Sequence, residues 1–503
     1  MSSDTRTNPA PATALPEPST RHPLLALIVL TGAELMVVLD ATIVNIALPT
    51  IQRALDVSVN NLSWIVSAYA LAFGGVMLLG GRVGDLFGRR RIFRFGIVLF
   101  VLASLLGGVA PNLGLLILAR VLQGVGAAIA APTSLALIAT TFAEGKARNR
   151  AMGLYAAMAG VGSTLGLLLG GTLTEYLNWR WVFLINVPIG IAVLAGTLVL
   201  REPQRSKGRL DYLGAALGTG GLLTLAYGIT RGGRDGWSDG ITITCFGVAA
   251  WLLALFLFTQ LRNRNPMLPL HLLRDRSRAG SYGTIFLVGA GMFGTFYFLT
   301  LYTQQVLHYS AVKTGLAFLP INVGIGITAT VAGRLMSKVP PRLVAAPGLV
   351  VAAIGAIWLS TLTPHSSYLG TLMPAMFVLS LGLGATFVPL TLGAVRGVDD
   401  GDSGIASAVL NTGQQIGGAF GVATLAALAA SLTNDRLGLA DGRGRAHGQP
   451  TGGSALSEPV LEAMTYGYTR AFIITSLIFA SAMVIAALAI NAGPASDAER
   501  HGH

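Results

Sequence analysis

Residues 24–51 of the chain read LLALIVLTGAELMVVLDATIVNIALPTI, and only Glu34 and Asp40 in this stretch carry a formal charge. A helix needs about 20 apolar residues to cross the hydrocarbon core of a bilayer, so the stretch predicts a membrane-spanning helix. An ionised acid at the centre of such a helix costs roughly 2.5–3.5 kcal/mol. An acid that the sequence retains despite this free-energy cost is expected to accept a proton, pair with a cation or line a water-filled cavity. A structural hydrogen bond to a neighbouring helix is the alternative.

The composition of the whole chain agrees with a membrane protein. Of its 503 residues, 53% are hydrophobic and 11% are charged, whereas an ordinary soluble protein carries about 25% charged residues. The single cysteine, Cys245, excludes an intrachain disulfide and a cysteine-cluster metal site. The seven histidines fall in predicted loops and tails, which is a poor arrangement for a metal site or a Ser-His-Asp site. We therefore expect neither a catalytic site nor a metal site.

Fourteen apolar segments, each long enough to cross a bilayer as a helix, follow one another along the chain. The seventh and eighth follow the basic linker REPQRSKGRLD at 201–211 and are separated by RGGRDGWSDG at 231–240. The sequence therefore predicts an all-α polytopic membrane protein. The predicted spans cover approximately residues 24–49, 61–80, 92–110, 113–138, 151–174, 181–200, 211–230, 241–261, 279–306, 314–336, 343–362, 369–391, 403–430 and 468–490.

Lysine and arginine fall unevenly on the two sides of these spans. One side holds 24 of the 34 residues and the other side holds nine, while Arg120 lies inside a span. Because positively charged loops stay in the cytoplasm, both chain ends are predicted to be cytoplasmic. The net charge of +12 then reflects membrane topology, and we expect no nucleic-acid partner. The first 23 residues lack the pattern of a cleavable signal peptide and are predicted to be a disordered tail.

The loop between the second and third spans reads GRVGDLFGRRR over residues 81–91. Its three glycines allow two helices and a tight turn to pack closely. Arginines that served only as topology signals would need neither these glycines nor the acid. The loop resembles the signature loop between helices 2 and 3 of the major facilitator superfamily. We interpret it as a conformational latch made by Gly81, Asp85, Gly88, Arg89 and Arg90.

Four further motifs are similar to those of the drug:proton antiporters in that superfamily. Residues 39–49, LDATIVNIALP, resemble the helix-1 motif. Residues 120–128, RVLQGVGAA, resemble the helix-4 motif, whose arginine lies within the membrane. Residues 178–188, NWRWVFLINVP, and 411–418, NTGQQIGG, are typical of the fourteen-helix branch. After its N-terminal tail, the chain thus resembles the EmrB/QacA-like multidrug exporters along essentially its whole length.

This resemblance implies the major facilitator fold, in which two pseudo-symmetric six-helix bundles hold the substrate site between them, here with two extra central helices. An internal repeat agrees, because GRL at 333–335 echoes GRV at 81–83. The implied organisation is a cytoplasmic N-tail at 1–23, an N-terminal bundle at 24–200, a linker with the extra helices at 201–278, a C-terminal bundle at 279–490 with a long extracytoplasmic loop at 431–467, and a cytoplasmic C-tail at 491–503.

Two spans carry a glycine at every fourth position, which places the glycines on one helix face and allows close helix packing. In the fifth span the antiporter motif usually has a proline where Leu167 stands, so no proline kink is available there. Facing ladders would suit a hinge between the two bundles, and static close packing is the alternative. The ladders are Gly162, Gly166 and Gly170 in the fifth span and Gly413, Gly417 and Gly421 in the thirteenth.

The sequence contains no Gly-x-x-x-x-Gly-Lys-Ser/Thr run, so direct use of ATP is not indicated. We expect the proton as coupling ion and no cofactor. Asp40 fits the role of the protonated carboxylate, and the resemblance implies Arg120 as its buried counter-charge. A structural arginine bonded to backbone carbonyls is the alternative. Glu34 lies about 120° around the helix from Asp40 and is interpreted as a second protonation site or a binding group for a cationic substrate.

Aromatic and amide side chains within the spans are candidates for a substrate cavity, since flat aromatic faces suit varied lipophilic molecules. Packing or lipid contact is the alternative for each of them. The cavity candidates are Asn45, Tyr69, Gln123, Tyr155, Tyr297, Asn411 and Gln415.

The acid of the predicted latch is expected to act in conformational change. A carboxylate is stabilised at a helix N-terminus, and the thirteenth span begins near residues 401–404, GDSG. We expect Asp85 to meet this N-terminus and to hold an outward-open state.

The leading interpretation is proton-coupled antiport of lipophilic or cationic drugs or antibiotics across the cytoplasmic membrane of a bacterium, by a monomer in the lipid bilayer. A proton-coupled symporter or facilitator of a small nutrient or metabolite is the alternative, and the helix-1 motif argues against it. An integral-membrane enzyme would need clustered His, Asp or Cys near the membrane interface, which the sequence lacks. A sensor that transports nothing would not need two buried acids and a full set of gating motifs.

Overall fold

The computed structural model describes residues 22–142, 146–202, 211–263, 266, 268, 270–336, 338–395, 398, 403–437 and 457–490, and within these residues the chain is helical, with no β-strand. The α-helices are α1 (Pro23–Leu55), α2 (Val59–Phe87), α3 (Arg89–Gly108), α4 (Leu113–Thr141), α5 (Lys146–Tyr176), α6 (Trp181–Leu184), α7 (Asn186–Gly196), α8 (Tyr212–Asp235), α9 (Gly240–Arg262), α10 (Arg276–Leu301), α11 (Ala311–Ala317), α12 (Leu319–Leu335), α13 (Arg342–Leu359), α14 (Met373–Val395), α15 (Ser403–Arg436) and α16 (Glu458–Ala489). Short 3₁₀ turns lie at Thr197–Val199 and Leu270–Leu273, and π-helical turns lie at Tyr302–Val306 and Tyr368–Leu372.

Thirteen helical stretches in the described part of the chain are long and apolar enough to cross a membrane. Two of them combine consecutive helices, because α6 and α7 form one stretch, Trp181–Val199, and α11 and α12 form another, Ala311–Leu335. The helix α2 has a shorter apolar part, Asn61–Met77, within a helix of 29 residues. With α2 the crossings reach the predicted fourteen, and the predicted all-α polytopic fold is confirmed.

The first helix, α1, contains the stretch that decides the fold. Pro23 stands in its first turn, where a missing N–H costs no helical hydrogen bond. Pro49 lies inside the helix, and Asp56 ends it in the left-handed conformation with φ 48°. The helix packs on α4, α5 and α7, and Asp40 is among its buried residues. The fold thus places the second acid of the stretch inside the protein.

The two glycine ladders each pack inside one half of the molecule. The α5 ladder lies on α1, since Gly162 approaches the Leu35 carbonyl and Gly170 approaches the Ile43 carbonyl. The α15 ladder lies in the same way on α10, where Gly417 approaches the Phe286 carbonyl. The ladders therefore do not face each other as the hinge hypothesis required. Each joins the fifth helix of its bundle to the first, which is the arrangement expected of a pseudo-symmetric pair.

The extra helices α8 and α9 pack on each other, and α8 also contacts α2 and α15. Ala226 of α8 is fully buried in a cluster with Ala70 and Leu71 of α2 and Ala419 of α15. The outer face of α9 remains uncovered, with Trp251 64% exposed. The inserted hairpin therefore touches a helix from each half.

The ends of the helices fall on two sides of the molecule. We call the side where α2 meets α3 the Arg89 end, and the side where α1 ends the Pro49 end. Polar contacts join the two halves at the Pro49 end. Gln304 and Gln305, which lie in the π-helical turn after α10, supply two of them. These contacts are Gln304 Nε2 to the Ile46 carbonyl at 2.8 Å, Gln305 Nε2 to Gln52 Oε1 at 2.6 Å, and the Val312 N–H to Glu175 Oε2 at 2.9 Å.

Candidate functional site

Asp40 is the centre of a buried hydrogen-bond network in the first half of the molecule. Its Oδ2 accepts a hydrogen bond from Arg120 Nη1 at 2.6 Å. Its Oδ1 accepts from Asn186 Nδ2 at 2.7 Å and from Gln123 Nε2 at 2.9 Å. The three donors come from α4 and from the start of α7. The carboxylate therefore ties α1 to two other helices.

Arg120 makes further contacts through its guanidinium. Its Nε donates to the Ile65 carbonyl of α2 at 2.9 Å, and its Nη1 donates also to Gln123 Oε1 at 3.0 Å. The ring of Tyr69 lies 4.2 Å from Arg120 Cζ, which is within cation–π range. The predicted counter-charge thus bonds both Asp40 and a backbone carbonyl, so the two roles considered for this arginine occur together.

The network is shielded from solvent. Asp40 is 0% exposed and Arg120 is 2% exposed. A buried pair of this kind is stable only while both charges are present and hydrogen-bonded, since removal of one partner costs about 3–5 kcal/mol. Two buried atoms beside the pair, Asn186 Oδ1 and Tyr69 Oη, have no hydrogen-bond partner within the described residues. The site therefore pairs one acid with one base, and beside them an amide oxygen and a hydroxyl accept or donate no hydrogen bond within the described residues.

Two members of this network lay outside the sequence-based site prediction. Asn186 belongs to the motif at 178–188 but is neutral, so nothing marked it as a partner of Asp40. Ser104 of α3 accepts a hydrogen bond from Gln123 Nε2 at 2.8 Å, and only its polarity within an apolar helix could have indicated it. Gln123 and Tyr69, two candidates for the substrate cavity, lie against the Asp40–Arg120 pair. Their contact with substrate stays a prediction.

Glu34 belongs to a second and separate cluster. Its Oε2 accepts a hydrogen bond from Tyr155 Oη of α5 at 2.6 Å. The same hydroxyl lies 3.1 Å from Ser134 Oγ and 3.3 Å from the Ala131 carbonyl of α4. Glu34 is half-buried, whereas Asp40 is fully buried. The two acids of the opening stretch therefore have different partners, as their different helix faces predicted.

The remaining cavity candidates do not gather around either acid. Asn45 Nδ2 bonds the Ala41 carbonyl of its own helix at 3.0 Å, and Asn411 is exposed and bonds the Ser407 carbonyl of its own helix at 3.1 Å. Gln415 is half-buried on the face of α15 that meets α2. Tyr297 is 0% exposed, and its ring packs edge-on against Phe298.

The predicted latch is organised by an acid that the sequence analysis did not identify. Gly88 connects α2 to α3 with φ 108°, a conformation that favours glycine. The Glu202 carboxylate accepts from the backbone N–H groups of Arg90 and Arg91 at 3.0 and 3.1 Å. It therefore caps the N-terminus of α3, where a negative charge is stabilised.

The other latch residues bind within the same half of the molecule. Arg89 Nη1 donates to the Ala136 carbonyl at 3.2 Å, and Arg90 Nε donates to the Thr197 carbonyl at 3.0 Å. Gly81 faces Pro132 of α4. The side chain of Asp85 and the expected partner segment at 401–402 lie outside what the structure describes, so the predicted contact between them stays a prediction.

The arrangement at Asp40 suits reversible proton transfer. Burial away from water favours the neutral acid, whereas Arg120 and the three hydrogen bonds favour the ionised carboxylate. The three donors occupy three of the carboxylate's roughly four acceptor sites, and a proton on Oδ2, which accepts only from Arg120, would leave the arginine without its counter-charge. Such a change would rearrange contacts among α1, α4 and α7 together.

Comparison with known proteins agrees with this fold. Residues 30–422 match the family profile of the Major Facilitator Superfamily. The puromycin resistance protein pur8 of Streptomyces alboniger is 44% identical over 412 residues, which cover 81% of this chain and 82% of that protein. The cephamycin export protein CmcT of Amycolatopsis lactamdurans is 39% identical over 417 residues, which cover 81% and 85%. The multidrug resistance protein Stp of Mycobacterium tuberculosis is 34% identical over 414 residues, which cover 82% and 76%.

Solved structures show the same fold at low sequence identity. A bacterial homologue of the human lysosomal transporter Spinster, in an inward-facing and occupied conformation, superposes with a TM-score of 0.64 at 16% identity, covering 92% of this chain and 96% of that chain. The peptide transporter POT superposes with a TM-score of 0.62 at 15% identity, covering 91% and 94%. The chain therefore belongs to the Major Facilitator Superfamily and is similar to drug-resistance and antibiotic-export proteins.

Proposed function

We propose that this transporter exports lipophilic or cationic antibiotics and drugs across the bacterial cytoplasmic membrane in exchange for protons, by alternating access. Proteins named for puromycin resistance, cephamycin export and multidrug resistance match more than three quarters of the chain. The observation that carries the coupling part of the proposal is the buried Asp40–Arg120 pair. Charged side chains in a membrane interior are costly to bury, so a pair that is retained there marks a functional site.

The proton cycle follows from the geometry at Asp40. In the ionised state the carboxylate holds Arg120, Gln123 and Asn186, and so it fastens α1 to α4 and α7. Protonation removes the charge attraction and weakens the fastening, which lets these helices shift. A proton taken up from outside and released inside then drives one cycle, since the state with the neutral acid and the state with the ionised acid favour different helix positions.

The orientation of the cycle rests on the charge distribution. The Arg89 end carries most of the arginine and lysine, so it faces the cytoplasm under the positive-inside rule, with both chain ends on that side. The two bundles, at about 24–200 and 279–490, touch at the opposite, Pro49 end. We assign this structure to a state that is closed to the outside, because polar contacts join the two halves at the Pro49 end.

Glu34 is the proposed group for substrate charge. It is half-buried and bonded to a tyrosine hydroxyl, so an incoming cation can replace the Tyr155 hydrogen bond with a charge interaction. Its separation from the Asp40 network lets substrate and proton act on different groups. The protein is proposed to act as a monomer in the lipid bilayer, with the proton as coupling ion and no cofactor.

The test is transport by purified protein in proteoliposomes with an imposed pH gradient. Asp40→Asn should abolish uphill export while the protein still inserts and folds. The matched control is Asp56→Asn, the same chemical change at the exposed residue that follows the end of α1. Asparagine tolerates the left-handed conformation there, so this variant should export at the wild-type rate. Uphill export by Asp40→Asn at the wild-type rate would refute the coupling role, and net uptake of drug along with protons would instead support a symporter.

A further inference from the structure

Two arginines at the Pro49 end share one tyrosine ring. Arg436, in the last turn of α15, places its Cζ 4.2 Å from the ring centroid of Tyr466 on α16. Arg470, four residues further along α16, places its Cζ 4.8 Å from the same centroid. Both distances lie within the cation–π range of about 6 Å. The ring therefore holds two like charges beside each other.

These two guanidinium groups have no acid partner among the described residues. Arg231 at the same end, by contrast, pairs with two aspartates of the turn between α8 and α9. Asp435 and Glu462 are the acids nearest along the chain, and neither forms an ion pair with the arginines. A guanidinium group carries five N–H donors, so the cluster offers many donors and two positive charges to a ligand.

Topology does not account for these charges. The Pro49 end is the side that holds only nine of the 34 lysines and arginines of the chain. The positive-inside rule disfavours arginine on that side, so two arginines stacked on one ring there oppose the topology signal. The cluster therefore indicates a function of its own.

Both arginines lie where the chain meets the membrane surface. Residues 471–490 after Arg470 read AFIITSLIFASAMVIAALAI, which is one uncharged span of the length that crosses a hydrocarbon core. Residues 403–434 of α15, before Arg436, also carry no charge. Tyrosine is enriched at the same depth, among the lipid headgroups. The two guanidinium groups thus lie at the level of lipid phosphates.

An apolar track leads from each arginine toward the middle of the membrane. Residues three or four apart share a helix face, so Ile473 and Leu477 continue the face of Arg470 on α16. Leu432 continues the face of Arg436 on α15. Leu477 is 61% exposed, and the other two are half-buried. A pair of positive charges above two apolar tracks fits a phosphate headgroup with its acyl chains, whereas a free phosphate ion would have no use for the tracks.

We propose that Arg436, Tyr466 and Arg470 form a binding site for the phosphate of an anionic phospholipid in the leaflet at the Pro49 end. Guanidinium groups bind phosphate through short, charge-assisted hydrogen bonds, and the tyrosine ring holds both groups in place for the ligand. The acyl chains lie along the outer faces of α15 and α16. A lipid bound in this way ties the end of α15 to the beginning of α16. The proposal is independent of the substrate and of the coupling ion.

Native mass spectrometry of the purified full chain, titrated with phosphatidylglycerol in detergent, tests the site. The wild type should bind one phosphatidylglycerol more tightly than phosphatidylcholine with the same acyl chains. Each arginine near an anionic headgroup contributes about 1 kcal/mol. Arg436→Gln or Arg470→Gln should therefore weaken this binding about fivefold, and the double variant about thirtyfold.

The matched control is Arg53→Gln at the same end. Arg53 is exposed, and its guanidinium donates to the Pro49 carbonyl of its own helix at 3.3 Å, so this variant should bind phosphatidylglycerol as the wild type does. Unchanged affinity in the double arginine variant, or equal weakening in Arg53→Gln, would overturn the proposal. Equal affinity of the wild type for phosphatidylcholine would also overturn it.

The tyrosine gives a second test that leaves both charges in place. Tyr466→Phe keeps the ring and should bind as the wild type does, whereas Tyr466→Leu removes the ring and should weaken binding severalfold. The thermal midpoint without added lipid verifies that each variant is folded. Wild-type affinity in Tyr466→Leu would overturn the role of the ring in holding the two guanidinium groups.

Competition with inorganic phosphate distinguishes a lipid from a soluble anion. Phosphate at a concentration equal to that of phosphatidylglycerol should displace none of it, because phosphate lacks the acyl chains. Displacement by phosphate would overturn the lipid assignment in favour of a soluble anion. Lipid binding is measured here without transport, so its loss would leave the proposed export function untouched, and loss of export would leave the lipid site untouched.

Discussion

Neutralising Asp40 should destabilise the folded protein as well as uncouple it. In Asp40→Asn the side-chain carbonyl can still accept from Gln123 and Asn186, which reach Oδ1 at 2.9 and 2.7 Å. The new amide nitrogen then faces Arg120 Nη1, which lies 2.6 Å from Oδ2. Two donors would meet where a charge-assisted hydrogen bond stood, and a buried arginine would lose its counter-charge.

The size of this effect follows from the burial of the pair. Removing one partner of a buried ion pair typically costs about 3–5 kcal/mol, and the retained bonds of Arg120 to the Ile65 and Gln123 oxygens do not replace the charge. The double variant Asp40→Asn/Arg120→Gln contains no buried charge at this site. It should recover most of the lost stability while remaining unable to couple export to protons.

Reversible unfolding in mixed lipid–detergent micelles measures both variants against the wild type. The expected order of unfolding free energy is wild type, then the double variant, then Asp40→Asn. A cost below about 1 kcal/mol for Asp40→Asn, or a double variant no more stable than the single one, would refute the assignment of a buried charge pair.

Three smaller predictions concern the groups around the pair and the signature loop. Asn186→Ala removes a hydrogen bond to a charged group, worth about 1.5–3 kcal/mol. It should slow proton-coupled export and lower the thermal midpoint. The control is Asn45→Ala, which removes an amide bonded to its own helix and should change neither. Gly88→Ala places a Cβ at φ 108° and against the Glu202 carboxylate, so it should lower stability by about 1–3 kcal/mol in an unfolding titration; unchanged stability would contradict the turn geometry. Tyr155→Phe removes the hydroxyl bonded to Glu34. It should change the apparent affinity for cationic substrates more than that for neutral ones. An equal change for both would contradict the binding of the substrate's charge by Glu34.

Much of the fold was predictable from the sequence because a bilayer imposes a strong rule on segment length and polarity. The fourteen spans follow from apolar runs alone, whereas their organisation into two bundles with two extra helices follows from the family resemblance. The Asp40–Arg120 pair was also predictable, because both residues are charged, lie inside spans and stand in motifs that resemble those of the antiporters. Charge alone would not have chosen between Asp40 and Glu34 as the partner of Arg120.

The neutral partners were not predictable in the same way. Asn186 and Ser104 carry no charge, so nothing in the sequence distinguishes them from polar residues bonded to their own helix, as Asn45 is. Glu202 lies more than a hundred residues from the α3 terminus that it caps, and only the folded chain brings the two together.

The glycine ladders show a different limit of prediction from the sequence. Their four-residue spacing predicted a close-packed face on α5 and on α15, and both faces are close-packed. The spacing does not say which helix covers the face, and the hinge hypothesis chose the wrong partner. The covering helices, α1 and α10, are identified only by the packing of the folded chain.

Proton movement caused by substrate tests the central claim most directly. Drug added to weakly buffered proteoliposomes containing the wild-type protein, without an imposed gradient, should change the pH reported by a dye, and a protonophore should abolish the change. Asp40→Asn should give no pH change, and Asp56→Asn should give the wild-type change. A substrate-driven pH change of wild-type size in Asp40→Asn would contradict the assignment of the coupled proton to Asp40.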